Sequence, residues 1–401
     1  MSNQPPIGVP QGAIRLNTDS QRLEFYAQDR WYEMATDVPN LAESSGASTD
    51  NIEVAGVRGM FAGGAEPSHS NIIQAFNLAS NGDTFDFGNL SAARYYISGC
   101  SSRTRAVWMG GNEGSGYVDT IEFNTFSTKG DAVAFGELIG ADRHFGAGFA
   151  NQTRGIIAGG ESPSKTNQIE FITIAQTGNA VDFGDLSDAR SSNSGFASPT
   201  RGIAAGGTEP THVNTIDFVT IATIGNASDF GDLSTARASM AMSCNSTTRG
   251  IFNGGYQPAP TTIRVNNMEF ITFATTGNAQ DFGDLTAAPQ SSSAGTVSSA
   301  TRGLIGLAYV HPAVVNSVEF CTIATLGNAQ DFGDLSAAKS GYGSCSNSIR
   351  GLFLGGNSPA YTNTIDSVII ATTGDATDFG DVNVGTTGLG AAGSDSHGGL
   401  S

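Results

Sequence analysis

Apolar residues along this chain fall in short bursts, each closed by glycine, asparagine or proline. The unit that begins at Arg154 shows the grammar. Arg154 to Gly160 (RGIIAGG) is an apolar run ended by paired glycines, and a polar loop, ESPSKT, follows. Asn167 to Ala175 (NQIEFITIA) then alternates and is rich in β-branched and aromatic residues, the pattern of a half-buried strand. Thr177-Gly178-Asn179 reads as a hairpin turn, because Gly and Asn tolerate positive φ. AVDFGDLS is the next strand. After an Asp-Ala-Arg turn, SSNSGFAS leads into the following Arg201-Gly202. One unit therefore predicts four strands.

The unit recurs. Its Asp-Phe-Gly phrase or a close variant places Phe87, Phe135, Phe183, Phe230, Phe282, Phe332 and Phe379 at intervals of 47 to 52 residues. A period near fifty means one supersecondary unit copied around a ring or along a solenoid, so the 401 residues form one repeated body rather than several unrelated domains. Arg58, Arg105, Arg154, Arg201, Arg249, Arg302 and Arg350 open the apolar strands. Paired glycines close them except in the sixth unit, where Leu307-Ala308 demands a different turn. The expected architecture is all-β, a seven-bladed β-propeller over residues 51–401. GTTGLGAAGSDS, after Phe379, has the character of the strand missing before Arg58, so the C-terminus is expected to complete the first blade; a competing closure uses Ile52 to Ala55. Either closure removes the free edges of an open array.

Paired glycine after an apolar strand, a later aromatic and Ala-Arg ending the unit together resemble kelch repeats, over roughly residues 51–396. Kelch units usually carry Tyr and Trp where this chain has Phe, so the resemblance is to a divergent kelch-like propeller.

Residues 1–40 lack the repeat and read as a small β-hairpin module, with 41–50 as a flexible linker. Gly12 to Met34 predicts short strands that turn at Asn17 to Ser20 and at Gln28-Asp29. So short a module buries little by itself, yet it carries Phe25, Tyr26, Trp31 and Tyr32, which makes them the candidate docking residues. Ile14 to Asn17 (IRLN), Leu23 to Tyr26 (LEFY) and Trp31 to Glu33 resemble β modules near the N-termini of tail-fibre and other virion proteins of tailed bacteriophages. The Phe-Gly-Asp-Leu repeats are similar to those of propeller-like virion proteins of marine phages and cyanophages. The resemblance implies a non-enzymatic virion structural protein, a tail-fibre or appendage component whose module docks to other virion proteins or to sister chains in a homo-oligomer. Capsid decoration or a tail-scaffold role is the alternative. A kelch-type lectin or enzyme is the third.

Charge and composition narrow the chemistry. Net charge is -18, with 19 basic residues against 37 acidic ones, which argues against nucleic acid. No apolar stretch is long enough to span a membrane, and the start, MSNQPPIGVPQG, lacks a secretory pattern, so synthesis in a host cytoplasm and residence in a virion are expected. Cys100, Cys244 and Cys345 share a slot with Phe149, Phe196 and Val297, which makes it a buried apolar position rather than a disulfide or zinc site. The recurring Asp-Phe-Gly lacks every other kinase element, and carboxylates alternating along a strand do not converge on calcium. No catalytic motif, metal spacing or cofactor motif is present, so neither an enzyme nor a cofactor is expected. One strand arginine per unit, with an acid on the neighbouring strand (Glu122, Glu170, Asp217, Glu269, Glu319, Asp366), predicts repeated cross-strand ion pairs.

Variation concentrates in the loops after the paired glycines. Strand direction alternates, so these loops share a face of the disc with the loops after Ala-Arg. They carry the candidate binding residues His69, Tyr117, His212, Tyr256, His311 and Tyr361, positioned for a host-surface glycan or protein.

Overall fold

A computed structural model of the protein describes residues 10, 13–17, 22–27, 30–33, 57–65, 68–139, 146–161, 164–240, 243–258, 263–290, 295–358, 360–383 and 390–396. The chain divides into two units, Met1–Val54 and Ala55–Ser401. Regular structure among the described residues is all β, and no helix is long and apolar enough to cross a membrane.

The larger unit is a seven-bladed β-propeller. Blade three illustrates the pattern, with antiparallel strands Ala147–Ala150, Arg154–Ala158, Gln168–Thr173 and Val181–Asp185 in that spatial order. The first of these is innermost and comes from the end of the preceding sequence unit. Blade one is completed by the C-terminus: Ala391–Ser394 pairs with Arg58–Ala62, setting Ala391 opposite Ala62 and Ser394 opposite Gly59. Ile52 to Ala55, the competing segment, and the linker lie outside the described residues.

The apolar core is divided into seven clusters, one at each junction between blades. Phe183 enters its cluster through a β-bulge. Ile169 faces Gly184 and Glu170 faces Asp182, so Phe183 is the extra residue, turned inward and buried. The glycine after it has a second task. Gly184 sits at φ 140°, and a Cβ there would lie 2.5 Å from the backbone of Gly225, in the turn of blade four. That turn covers the outer edge of blade three: Gly225 N donates to Phe183 O at 2.7 Å and Ala227 N to Asp185 O at 2.8 Å. The same lock closes the ring, where Gly82 N donates to Phe379 O at 2.7 Å. The repeated phrase thus turns a sticky sheet edge into a joint with the next blade.

The arginine that opens each second strand makes no cross-strand ion pair, which corrects the sequence expectation. Arg105 lies opposite Thr125, whereas Glu122 lies opposite Trp108, three positions along. Instead Arg105 donates to Ile174 O of the next blade at 2.9 Å and stands 4.3 Å from the centroid of Phe123. Arg154, Arg201, Arg249 and Arg302 repeat both contacts. Arg350 closes the series on Asn81 Oδ1 of blade one at 2.9 Å. The acids pair with a different cation, the one that ends the preceding unit. Arg94 pairs with Glu122, Arg190 with Asp217 at 2.8 Å, Arg237 with Glu269, and Lys339 with Asp366 at 2.9 Å, all buried. Burial pushes the pKa of each of these four cations down, against the pull of its carboxylate.

Cys244, Cys321 and Cys345 are buried and Cys100 is half-buried; all four are free thiols. Burial pushes the Cys100 and Cys345 thiols up to about 12, so they pack as small hydrophobes.

The smaller unit is a three-stranded antiparallel sheet of Ile14–Asn17, Arg22–Ala27 and Arg30–Glu33. Tyr26 is buried, with its ring 5.3 Å from that of Trp31 across the second hairpin. Arg15 lies 4.2 Å from the Trp31 centroid and pairs with Glu24 at 2.8 Å. Tyr32 is half-buried and opposite Phe25 in register; the Phe25 side chain lies outside the described residues. Of the four candidate docking aromatics, Tyr26 and Trp31 therefore contact each other.

Candidate binding face

Between its second and third strands every blade carries a small antiparallel ladder. In blades four to seven these are two-residue hairpins: Thr208–Glu209 with Thr211–His212, Tyr256–Gln257 with Ile263–Arg264, Tyr309–Val310 with Ala313–Val314, and Asn357–Ser358 with Ala360–Tyr361. Blades one to three reduce the ladder to single bridges, Ala65 to His69, Asn112 to Tyr117 and Glu161 to Lys165.

The segment leaving each blade pairs with the next hairpin, as in the bridges Ser191 to Thr208, Ala238 to Tyr256, Pro289 to Val310 and Ser340 to Asn357. The two loop families therefore emerge together on one face.

All six candidate residues belong to these ladders or their loops, but they do not form one site. His69 stacks on Tyr95, centroids 4.4 Å apart, and packs toward Gly114 in the loop that holds Tyr117. Tyr117 is half-buried opposite Asn112. His212 is half-buried too, with Nδ1 buried and unpaired; burial, with Lys165 nearby, lowers its pKa. Tyr361 stands 45% exposed on blade seven.

Tyr256 and His311 are the two drawn together, and the residue that joins them is one the sequence pattern did not single out. Arg264, on the Tyr256 hairpin, has its guanidinium carbon 5.6 Å from the Tyr256 centroid and 5.8 Å from that of Tyr309 on the next blade. Arg264 Nη2 donates to Gln290 Oε1 at 3.3 Å. Tyr309 in turn sits beside His311, its hydroxyl 3.4 Å from Nδ1. The available signal was that Arg264 belongs to neither repeated arginine slot.

The inner strands line an open axial cavity of about 300 Å³. Its hydroxyls serve the wall: Ser101 Oγ donates to Ser394 O and Ser394 Oγ to Ser346 O, each at 2.9 Å. Ser346 Oγ continues to Ser298 O at 3.4 Å. Among the described residues, no group of three or more His, Cys, Asp or Glu side chains is placed to hold a metal ion. Neither a protein-family model nor a curated protein matches this chain.

Proposed function

We propose that the chain is a non-enzymatic structural protein of a tailed-bacteriophage particle, a tail-fibre or appendage component that displays a kelch-like propeller outward. One observation carries the reading: the ring is built from repeated contacts, while the loops that vary most between blades emerge together on a single face. A rigid scaffold presenting variable polar and aromatic loops is a common design for recognition. The N-terminal sheet is the docking module, and host-surface glycan or protein is the ligand of the hairpin face.

Two measurements test this. Removing residues 1–45 should abolish incorporation into particles; unchanged incorporation would overturn the docking role. Purified protein should adsorb to host cells, and the combined Tyr256→Ala and Tyr361→Ala substitution should abolish adsorption. Incorporation without any adsorption would favour capsid decoration or a tail-scaffold role.

A further inference from the structure

Arg264 differs from the other arginines of the propeller in what surrounds it. The strand arginines spend their donors on carbonyls of the next blade, and Arg94, Arg190 and Arg237 are paired with buried acids. Arg264 has no carboxylate within ion-pair reach among the described residues. Its Nη2 donates to the neutral Gln290, and its Nε is buried without a partner among the described residues. The guanidinium is held between two phenol rings, one from each of two adjacent blades. Such a fork is pre-organised, so little side-chain freedom is lost when it takes up a planar anion.

The geometry points to a subsite for a carboxylate-bearing sugar at the junction of blades five and six. The guanidinium takes the carboxylate, while Gln290, the tyrosine hydroxyls and His311 supply donors and acceptors for ring hydroxyls. This rests on the hairpin face being the recognition face and names its ligand class. Two facts favour an acidic sugar over other anions. The chain's charge of -18 repels extended polyanions such as nucleic acid, and one unpaired cation balances one carboxylate. Clustered tyrosine, histidine and amide groups suit a polyhydroxylated ring.

The test is titration of the full chain with digalacturonate, sialyllactose, lactose, a carboxyl-reduced digalacturonate and inorganic phosphate. At least one acidic sugar should bind, with lactose and the carboxyl-reduced digalacturonate at least tenfold weaker. Arg264→Gln should weaken the acidic sugar at least tenfold, and Arg264→Lys should recover only part, because the fork is lost. Neither variant should move the unfolding midpoint, since Arg264 makes none of the repeated contacts that close the ring. Equal binding by Arg264→Gln, equal binding of the carboxyl-reduced digalacturonate, stronger binding of phosphate, or no binding of any acidic sugar would overturn the inference. Host-cell adsorption separates the two failures. Adsorption that survives Arg264→Gln but is lost in the Tyr256→Ala, Tyr361→Ala protein sinks the acidic-sugar subsite and leaves the recognition face standing. Adsorption unaffected by either sinks the face itself.

Discussion

Among the described residues, four junctions of the ring hold a buried cation paired with an acid, and two others lack it and handle the loss in opposite ways. Where blade seven meets blade one, the segment from Val384 to Leu389 contains no lysine or arginine, and the acid slot holds Gln74. Gln74 Oε1 accepts from Asn383 N at 2.7 Å and from Thr84 Oγ1 at 2.5 Å, so a neutral amide satisfies the same donors. Where blade five meets blade six, Pro289 stands in the arginine slot, yet the acid remains. Glu319 is 2% exposed, and it accepts hydrogen bonds from Thr286 N and Oγ1 instead of an ion pair. Burial pushes its pKa up, the Thr286 bonds oppose this, and Asp331 adds to the rise. The closing junction is neutral by design, whereas the five–six junction carries an uncompensated carboxylate. Charge at these positions is thus a choice the ring can do without, as expected for buried pairs that rarely add net stability.

Removing one partner of an intact pair exposes the cost of a lone buried charge. Arg237→Met strands Glu269 in the core and should cost about 3–5 kcal/mol in urea unfolding, and adding Glu269→Gln should return a large part of that. A pair that unfolds no more easily after losing its arginine would mean the buried charge is solvated after all.

Next in size is a steric test of the five–six junction. Gly283 presses against the backbone of Gly327 at φ 142°, a Cβ there falling 2.5 Å from it. Gly283→Ala should cost about 1–3 kcal/mol, read from the denaturation midpoint.

Gln74→Glu would copy the five–six arrangement into the closing junction. It should lower the thermal midpoint at neutral pH and do so less in acid. The reverse exchange, Glu319→Gln, should raise it, each unit of raised carboxyl pKa being worth about 1.4 kcal/mol. The sign follows from proton linkage. A carboxyl whose folded pKa is raised binds more protons folded than unfolded, so its contribution is most favourable below the ordinary glutamate value, about 4.3, and is lost as pH rises through the folded value. The advantage of Glu319→Gln should therefore grow from acid toward neutral pH. A midpoint difference flat across that window would show Glu319 to be charged without penalty.

Blade number, strand order and the C-terminal closing strand were legible because each depends on local pattern or on the period. Pairing of the acids was not. The unit shows which strands are adjacent, but Arg105 and Glu122 sit three positions apart in register, and the acid's partner arrives from the preceding unit. Leu307-Ala308 was readable as a different turn, and Ala308 does take φ 55° where the second glycine of blade seven takes 111°. The changed backbone matters for a side chain there, since at φ 107° a Cβ on the equivalent Gly255 would lie 2.9 Å from Met240 Cγ and 3.0 Å from Ala238 O. That the two loop families share a face was readable from alternation of strand direction. Arg264 was missed because its partners come from the next blade and from the exit segment, at distances along the chain that no local pattern reports.

The central claim is that the repeated Phe-Gly phrase is a joint between blades and that the C-terminal strand makes the seventh joint equal to the rest. Amide hydrogen exchange at Gly82, Gly130, Gly178, Gly225, Gly277, Gly327 and Gly374, each donating to the phrase's phenylalanine carbonyl in the preceding blade, tests it most directly. The account predicts that all seven are protected nearly as strongly as the central strands. In a chain ending at Asn383, it predicts that protection collapses first at Gly82. Exchange at the rate of exposed turns, or a truncated chain with Gly82 still protected, would contradict it.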